Sequence, residues 1–175
     1  MSLSLWQKIQ QDDLDAFDEF YHLYISGLYD YGMSIARRED IVDESIQLLF
    51  TKLYQKRKDI SIKSAPKAYL FTSLRRLIIE QLGKQNNHEE IDFNNEFHFS
   101  EKSHEDRIVA QDQKTEDIDK LNEAKKHLTK RQKEIIFLKF NEELSYDEIS
   151  VVMNITKDAA YKLVNQAIKR LTENF

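Results

Sequence analysis

Cysteine is absent from this 175-residue chain, which removes disulfides, thiolate metal sites and a thiol nucleophile from consideration. Proline occurs once, at Pro66, and glycine three times. Strand-and-turn architectures use such residues at their reversals, so the scarcity of both argues against them. No apolar run is long enough to span a membrane. The amino terminus lacks a signal-peptide pattern, and a cytoplasmic location is expected. His22, His88, His98, His104 and His127 are scattered without metal-ligand spacing. A glycine-rich phosphate loop is missing. The paired acids Glu89-Glu90 sit in a polar stretch where nothing would desolvate them and shift their titration. No enzymatic chemistry is expected: no catalytic residue, metal, cofactor or small-molecule substrate.

What remains is 41% hydrophobic and 33% charged, the balance of a soluble helical protein, and the expected fold class is all-α. The most informative stretch is Leu128 to Leu171. Thr129 has Gln132 three residues on, and Ser145 has Glu148 three residues on. Each pair reads as a capping box, in which hydroxyl and later side chain satisfy orphan backbone N–H groups reciprocally. Thr156 opens a third helix as a plain N-cap. A helix from Tyr146 to about Val152, a turn at Met153-Asn154-Ile155 and a helix to about Thr172 together form a helix-turn-helix. Asn154 stands where a left-handed residue is needed, and Asn tolerates that conformation. Ile149, Val152, Ile155, Ala160, Leu163, Val164 and Ala167 can share one small core, with Ala160 allowing a close crossing.

The second helix of such a pair is the one that enters a DNA major groove. If Ala160, Leu163, Val164, Ala167 and Leu171 face inward, then Asp158, Tyr161, Lys162, Asn165 and Lys169 form an outward stripe. Lys can meet phosphates or guanine, Asn can pair with adenine, and Tyr can stack or donate. An ordinary solvated helix face would also be polar, and three amphipathic helices also suit a plain bundle. Arg131 and Lys157 join the stripe as candidate DNA contacts.

Upstream, Ser4 with Gln7 resembles a capping box. Asp12 or Asp13 caps a long helix to about Ala36, with Phe17, Phe20, Tyr21, Tyr24, Leu28 and Ile35 on its apolar side. Glu39 to about Lys56 forms a second long helix, with Val42, Ile46, Leu49, Phe50 and Leu53 inward. Ser64 caps a third, with Pro66 in its first turn and Gly83 as a stop signal. Its apolar side carries Leu70, Phe71, Leu74, Leu77, Ile78 and Leu82. Residues 85–114 break the pattern; Glu89, Glu90, Asp92, Glu96, Glu101, Glu105, Asp106 and Asp112 face only Lys102, Arg107 and Lys114. This segment reads as an acidic linker, with helix returning near His104 to Asp112. The expected organisation is a helical domain at 1–84, the linker at 85–114, and a helix-turn-helix domain at 115–175 entered by a helix over about Thr115 to His127.

Around the second and third helices gather Lys52, Lys56, Arg57, Lys58, Lys63, Lys67, Arg75, Arg76 and Lys84, with Tyr54, Tyr69 and Phe71 interleaved. Cations track a backbone and aromatics stack on unpaired bases, as single-strand binding requires. For Phe71, core packing is the stronger reading. A captured base would need a pocket near the Asp59 to Ala65 loop. The net charge of −5 and pI near 5.6 are low for a protein that binds DNA alone, but a subunit of a larger complex need not do so.

The run Leu128-Thr129-Lys130-Arg131-Gln132 followed by Leu144-Ser145-Tyr146-Asp147-Glu148-Ile149 resembles the fourth conserved region of bacterial RNA polymerase sigma factors. It is most similar to the extracytoplasmic-function (ECF) subgroup. Ala16-Phe17 with Tyr21 and Tyr24 resembles the opening of the second conserved region. Asp43-Glu44-Ser45-Ile46-Gln47-Leu48-Leu49-Phe50 is similar to the run that binds the polymerase clamp helices. Ala68-Tyr69-Leu70-Phe71 with Arg75-Arg76 resembles the stretch that opens the downstream promoter element. The chain departs from the family at Ser45, where Leu is usual, at Leu48, where an acid is usual, at Asn154, where Gly is frequent, and at Asp158-Ala159-Ala160, where Gly-Thr-Val is common.

The resemblance implies two small helical domains and a role in promoter recognition and transcription initiation. Its implied partners are core RNA polymerase, through Asp43, Glu44 and Gln47, and promoter DNA. DNA contacts fall to Arg131, Lys157, Asp158, Tyr161, Lys162, Asn165 and Lys169 at the upstream element, and to Lys63, Lys67, Arg75 and Arg76 at the downstream one. An anti-sigma factor is a further partner that it allows. A stand-alone helix-turn-helix regulator and a protein-interaction adaptor are the alternatives. An acidic linker leaves the two domains free to move, including into a closed form that masks DNA contacts.

Overall fold

A computed structural model describes residues 2–60, 66–85 and 120–174, with side chains over 5–60, 66–84 and 120–174. Every regular element among the described residues is helical. The Ser64 cap, Lys63, the proposed base pocket, the linker and the start of the 115–127 helix lie outside the described residues.

Helix α1 spans Ser2–Gln10 and α2 spans Leu14–Ala36. Asp13 is the cap that opens α2: its carboxylate accepts from the Ala16 backbone N–H at 2.9 Å. Asp12 adopts φ 70° and closes the corner between the two helices. A short polar side chain makes that left-handed backbone tolerable. Arg37, also left-handed, ends α2. Helix α3 spans Glu39–Gln55, with Glu39 and Asp40 in its first turn, where carboxylates favour the positive end of the helix dipole. Helix α4 spans Pro66–Gln85 and begins on its proline. Gly83 does not stop it; the helix runs two residues further.

The four helices bury one aromatic-rich core. Trp6, Phe20, Leu28, Tyr31, Ile35, Leu53, Leu70, Phe71 and Ile78 are essentially inaccessible to solvent. Phe17, Tyr21 and Leu82 are only half-buried at its margin. Gly32 sets the closest approach: a Cβ there would lie 2.7 Å from Val42 Cγ1, so the residue must be glycine for α2 and α3 to cross.

The carboxy-terminal unit opens with α5, helical over residues 120–126. Helix α6 spans Lys130–Ile136 and widens into a π turn over Phe137–Asn141. Helix α7 spans Tyr146–Met153 and α8 spans Lys157–Glu173. Both expected capping boxes are present, Thr129 with Gln132 and Ser145 with Glu148. Asn154 is left-handed at φ 51°, and Thr156 accepts from the Ala159 N–H.

The two units do not stand apart. Ile135, Leu138, Leu144, Ile149, Val152 and Met153 join the same buried cluster as the residues of α2 and α4. Helix α7 packs on α4. The linker sequence allows halves that move, including into a closed form, and the described chain is closed over an apolar interface. The physical reason is that α6 and α7 carry more apolar surface than the small helix-turn-helix core alone covers.

Candidate nucleic-acid interface

Helix α8 is amphipathic in the register expected. Ala160, Val164 and Ala167 are buried, Leu163 and Leu171 half-buried, and Asp158, Tyr161, Lys162, Asn165 and Lys169 exposed. The Tyr161 ring meets Tyr146 of α7 edge-on at 5.4 Å, and Lys139 Nζ lies 4.8 Å from the Tyr146 ring centre. Lys157 pairs with Asp147 across the turn at 2.8 Å, and Lys169 approaches Glu173 at 3.8 Å. These are exposed pairs, worth little and easily exchanged for a phosphate. Arg131 is half-buried on α6 and makes interactions of its own. The stripe therefore forms one polar ridge that no other element covers among the described residues.

The cations of α4 are held differently. Arg76 is exposed. Arg75 is 13% exposed, and its Nε donates to Glu134 Oε1 at 2.9 Å. Glu134 is fully buried, and its Oε1 also accepts from the Tyr31 hydroxyl at 2.8 Å. Its Oε2 receives no hydrogen bond among the described residues. Burial alone would lower the Arg75 pKa, but the Glu134 carboxylate and Tyr31 outweigh it and the net shift is upward. Burial, reinforced by the neighbouring Glu134 charge, pushes the Tyr31 phenol well above its usual range. Lys67, the other candidate on this helix, lies 3.0 Å from Glu142 Oε2 and also donates to the Glu142 carbonyl. Two of the four downstream candidates are thus engaged by acids of the carboxy-terminal unit. Tyr69 projects from α4 and Phe71 is core.

Asp43, Glu44 and Gln47 are all exposed on α3, opposite buried Val42, Ile46 and Phe50. Asp43 and Gln47 rim a groove of about 870 Å³ between α2 and α3, floored by Phe17, Tyr21, Ile25, Tyr29 and Phe50. The aromatic floor was not anticipated; its residues follow the helical period as core residues do, and only the packing leaves Phe17, Tyr21, Ile25 and Tyr29 half open. Glu134 and Glu142 were also missed, since an acid on a helix gives no sign in sequence of what it will meet. Among the described residues no cluster of His, Asp and Glu is arranged to hold a metal, and no helix is long and apolar enough to cross a membrane.

The fold and these surfaces define a helical protein with a carboxy-terminal helix-turn-helix. Residues 118–171 match the family model described as Sigma-70, region 4. No curated protein sequence matches the chain significantly. Among solved structures, the sigma factor RpoE in complex with the anti-sigma factor NepR from Bartonella quintana is similar. It has 23% identity and a TM-score of 0.65, over 90% of this chain and 94% of that one. CnrH in complex with the cytosolic domain of CnrY is also similar, with 13% identity and a TM-score of 0.61, over 97% of this chain and 94% of that one. The region 4 match covers the carboxy-terminal helix-turn-helix, and both solved structures share this fold along nearly the whole chain.

Proposed function

We propose that this chain is a dissociable subunit of RNA polymerase that brings the core enzyme to promoters and helps open them. The observation that carries the reading is the exposed ridge on α8, because it is the second helix of a helix-turn-helix inside the segment matched to sigma region 4. Lys162 and Lys169 would neutralise phosphates, Asn165 would read a base edge, and Tyr161, Asp158, Lys157 and Arg131 would frame the contact. Asp43, Glu44 and Gln47 would meet core polymerase, with the aromatic floor of the α2–α3 groove beside them. Lys63, Lys67, Arg75 and Arg76, with Tyr69, would engage the opened downstream strand. In this reading residues 1–84 are the polymerase-binding and melting domain, 85–114 the linker, and 115–175 the upstream-reading domain.

The fold of both solved relatives, each a complex with a partner protein, supports an anti-sigma factor as a further partner. The absence of a membrane-crossing helix among the described residues is consistent with a cytoplasmic site of action. The deciding experiment is in vitro transcription with core polymerase, with and without the chain, on a library of promoters. Promoter-specific transcripts that depend on the chain are expected. Binding of a palindromic duplex by the chain alone, as a dimer, would favour a stand-alone regulator instead.

A further inference from the structure

Tyr161 is the only aromatic residue of α8, and it stands in the second turn of that helix, 55% exposed. Its ring is nevertheless held. It meets the ring of Tyr146, the first residue of α7, edge-on at 5.4 Å. Tyr146 is half-buried, with Lys139 Nζ 4.8 Å from its ring centre on the side of the π turn. Lys139 is fixed in its turn, because the same Nζ donates to the Leu144 carbonyl at 3.1 Å. Cation, ring and ring thus form one chain of contacts from the π turn through α7 to α8. The Lys157–Asp147 pair ties the same two helix starts together. The crossing of α7 and α8 does not need an exposed phenol for its stability, since Ile149, Val152, Ala160 and Val164 already bury its core.

In a helix-turn-helix the amino-terminal residues of the second helix meet base edges. Phosphates and most base edges call for charged or amide partners, which Lys162 and Asn165 supply beside Tyr161. A flat apolar ring suits a different group. Thymine alone presents an apolar group in the major groove, its C5 methyl. A ring already oriented by its neighbours also loses little freedom on binding. We infer that Tyr161 reads a thymine by contact with that methyl, and that Tyr146 and Lys139 are positioning residues that set the angle of its ring. The inference rests on the α8 ridge being the DNA-reading surface proposed above.

The test removes the methyl from the DNA and the ring from the protein, separately and together. The probe is a promoter duplex recovered from the library transcription, with each upstream thymine replaced in turn by uracil, which pairs identically but lacks the methyl. Binding of core polymerase carrying the full chain is titrated on each duplex. At one position uracil should weaken binding about fourfold, the equivalent of about 0.8 kcal/mol for one buried methyl. Tyr161→Ala should weaken binding to the thymine duplex and abolish the uracil penalty, so that the two changes do not add. Tyr161→Phe should retain the penalty; its loss there would give the contact to the hydroxyl and overturn the methyl reading. Tyr146→Leu, checked for unchanged helicity, should diminish the penalty, and Tyr146→Phe should restore it. Lys139→Met, which keeps the stem without the charge, should act as Tyr146→Leu does. An undiminished penalty in Tyr146→Leu would overturn the positioning role. Tyr161 is exposed, so its variants decide the contact whatever becomes of Tyr146→Leu. No penalty at any thymine, or the same penalty in Tyr161→Ala, would overturn the inference while chain-dependent transcripts left the polymerase-subunit reading standing. Absence of such transcripts would remove both.

Discussion

A carboxylate with no access to solvent, facing one guanidinium and one phenol, sets the energetics of the interface. Removing it leaves the Arg75 guanidinium buried without that carboxylate. Glu134→Ala should therefore cost about 3–5 kcal/mol, the usual penalty for breaking a buried pair from one side. Tyr31→Phe removes the hydroxyl that donates to Glu134 while leaving the Arg75–Glu134 pair in place, and should cost about 1.5–3 kcal/mol. Urea unfolding of the full chain measures both; equal, negligible losses would mean that the pair is solvated. Asp12 behaves otherwise. It is exposed, and its carboxylate binds Lys58 and Arg57, whose hydrogen bonds hold its pKa below the ordinary range. A depressed carboxyl stabilises the folded chain above its unfolded pKa, and that contribution is lost as pH falls through the folded value. Asp12→Asn should keep the left-handed corner yet abolish this acid-side loss, visible as a flatter thermal midpoint against pH below about 4. The caps at Thr129, Ser145 and Thr156 were legible because their chemistry lies within three residues of sequence. Glu134 was not, because its partners lie 103 and 59 residues away.

At the scale of elements, periodicity located nearly every helix, and it failed where hydrogen bonding rather than hydrophobicity sets the boundary. The π turn after α6 has no sequence signature, yet it aims Glu142 at α2. Gly83 read as a stop because glycine favours helix ends, but it sits inside α4. The α8 ridge was fully legible, since burial of Ala160 and Val164 dictates what faces outward. Its test separates two kinds of contact. Lys162→Ala and Lys169→Ala should each weaken promoter binding by the holoenzyme across all sequences and reduce the salt slope by about one. Asn165→Ala should relax preference at one position, at a cost of about 1–3 kcal/mol. Equal loss on every promoter would remove Asn165 from base reading. On α3, charge reversal of Asp43 and Glu44 together should weaken binding to core polymerase with helicity unchanged. Unaltered affinity in a pull-down titration would reject that face.

At the scale of the whole molecule, two forces could close the chain: attraction between oppositely charged surfaces, or burial. A net charge of −5 spread over clustered acids and bases makes the first plausible from sequence. The structure favours the second, because Ile135, Leu138, Ile149 and Val152 continue the core of α2 and α4 and the Arg75–Glu134 pair has little or no access to solvent. Salt discriminates between them. Screening shortens from about 10 Å at 0.1 M to about 3 Å at 1 M, which abolishes surface attraction but barely reaches buried pairs. Apolar burial, meanwhile, is not weakened by screening at all. Small-angle scattering of the free chain should therefore give the same radius of gyration at 0.05 M and 1 M salt, while promoter binding by the holoenzyme falls steeply over that range. An expansion with salt would mean that surface charge holds the halves together. Glu134 and Glu142 would then act only as loose counterions to the cations of α4.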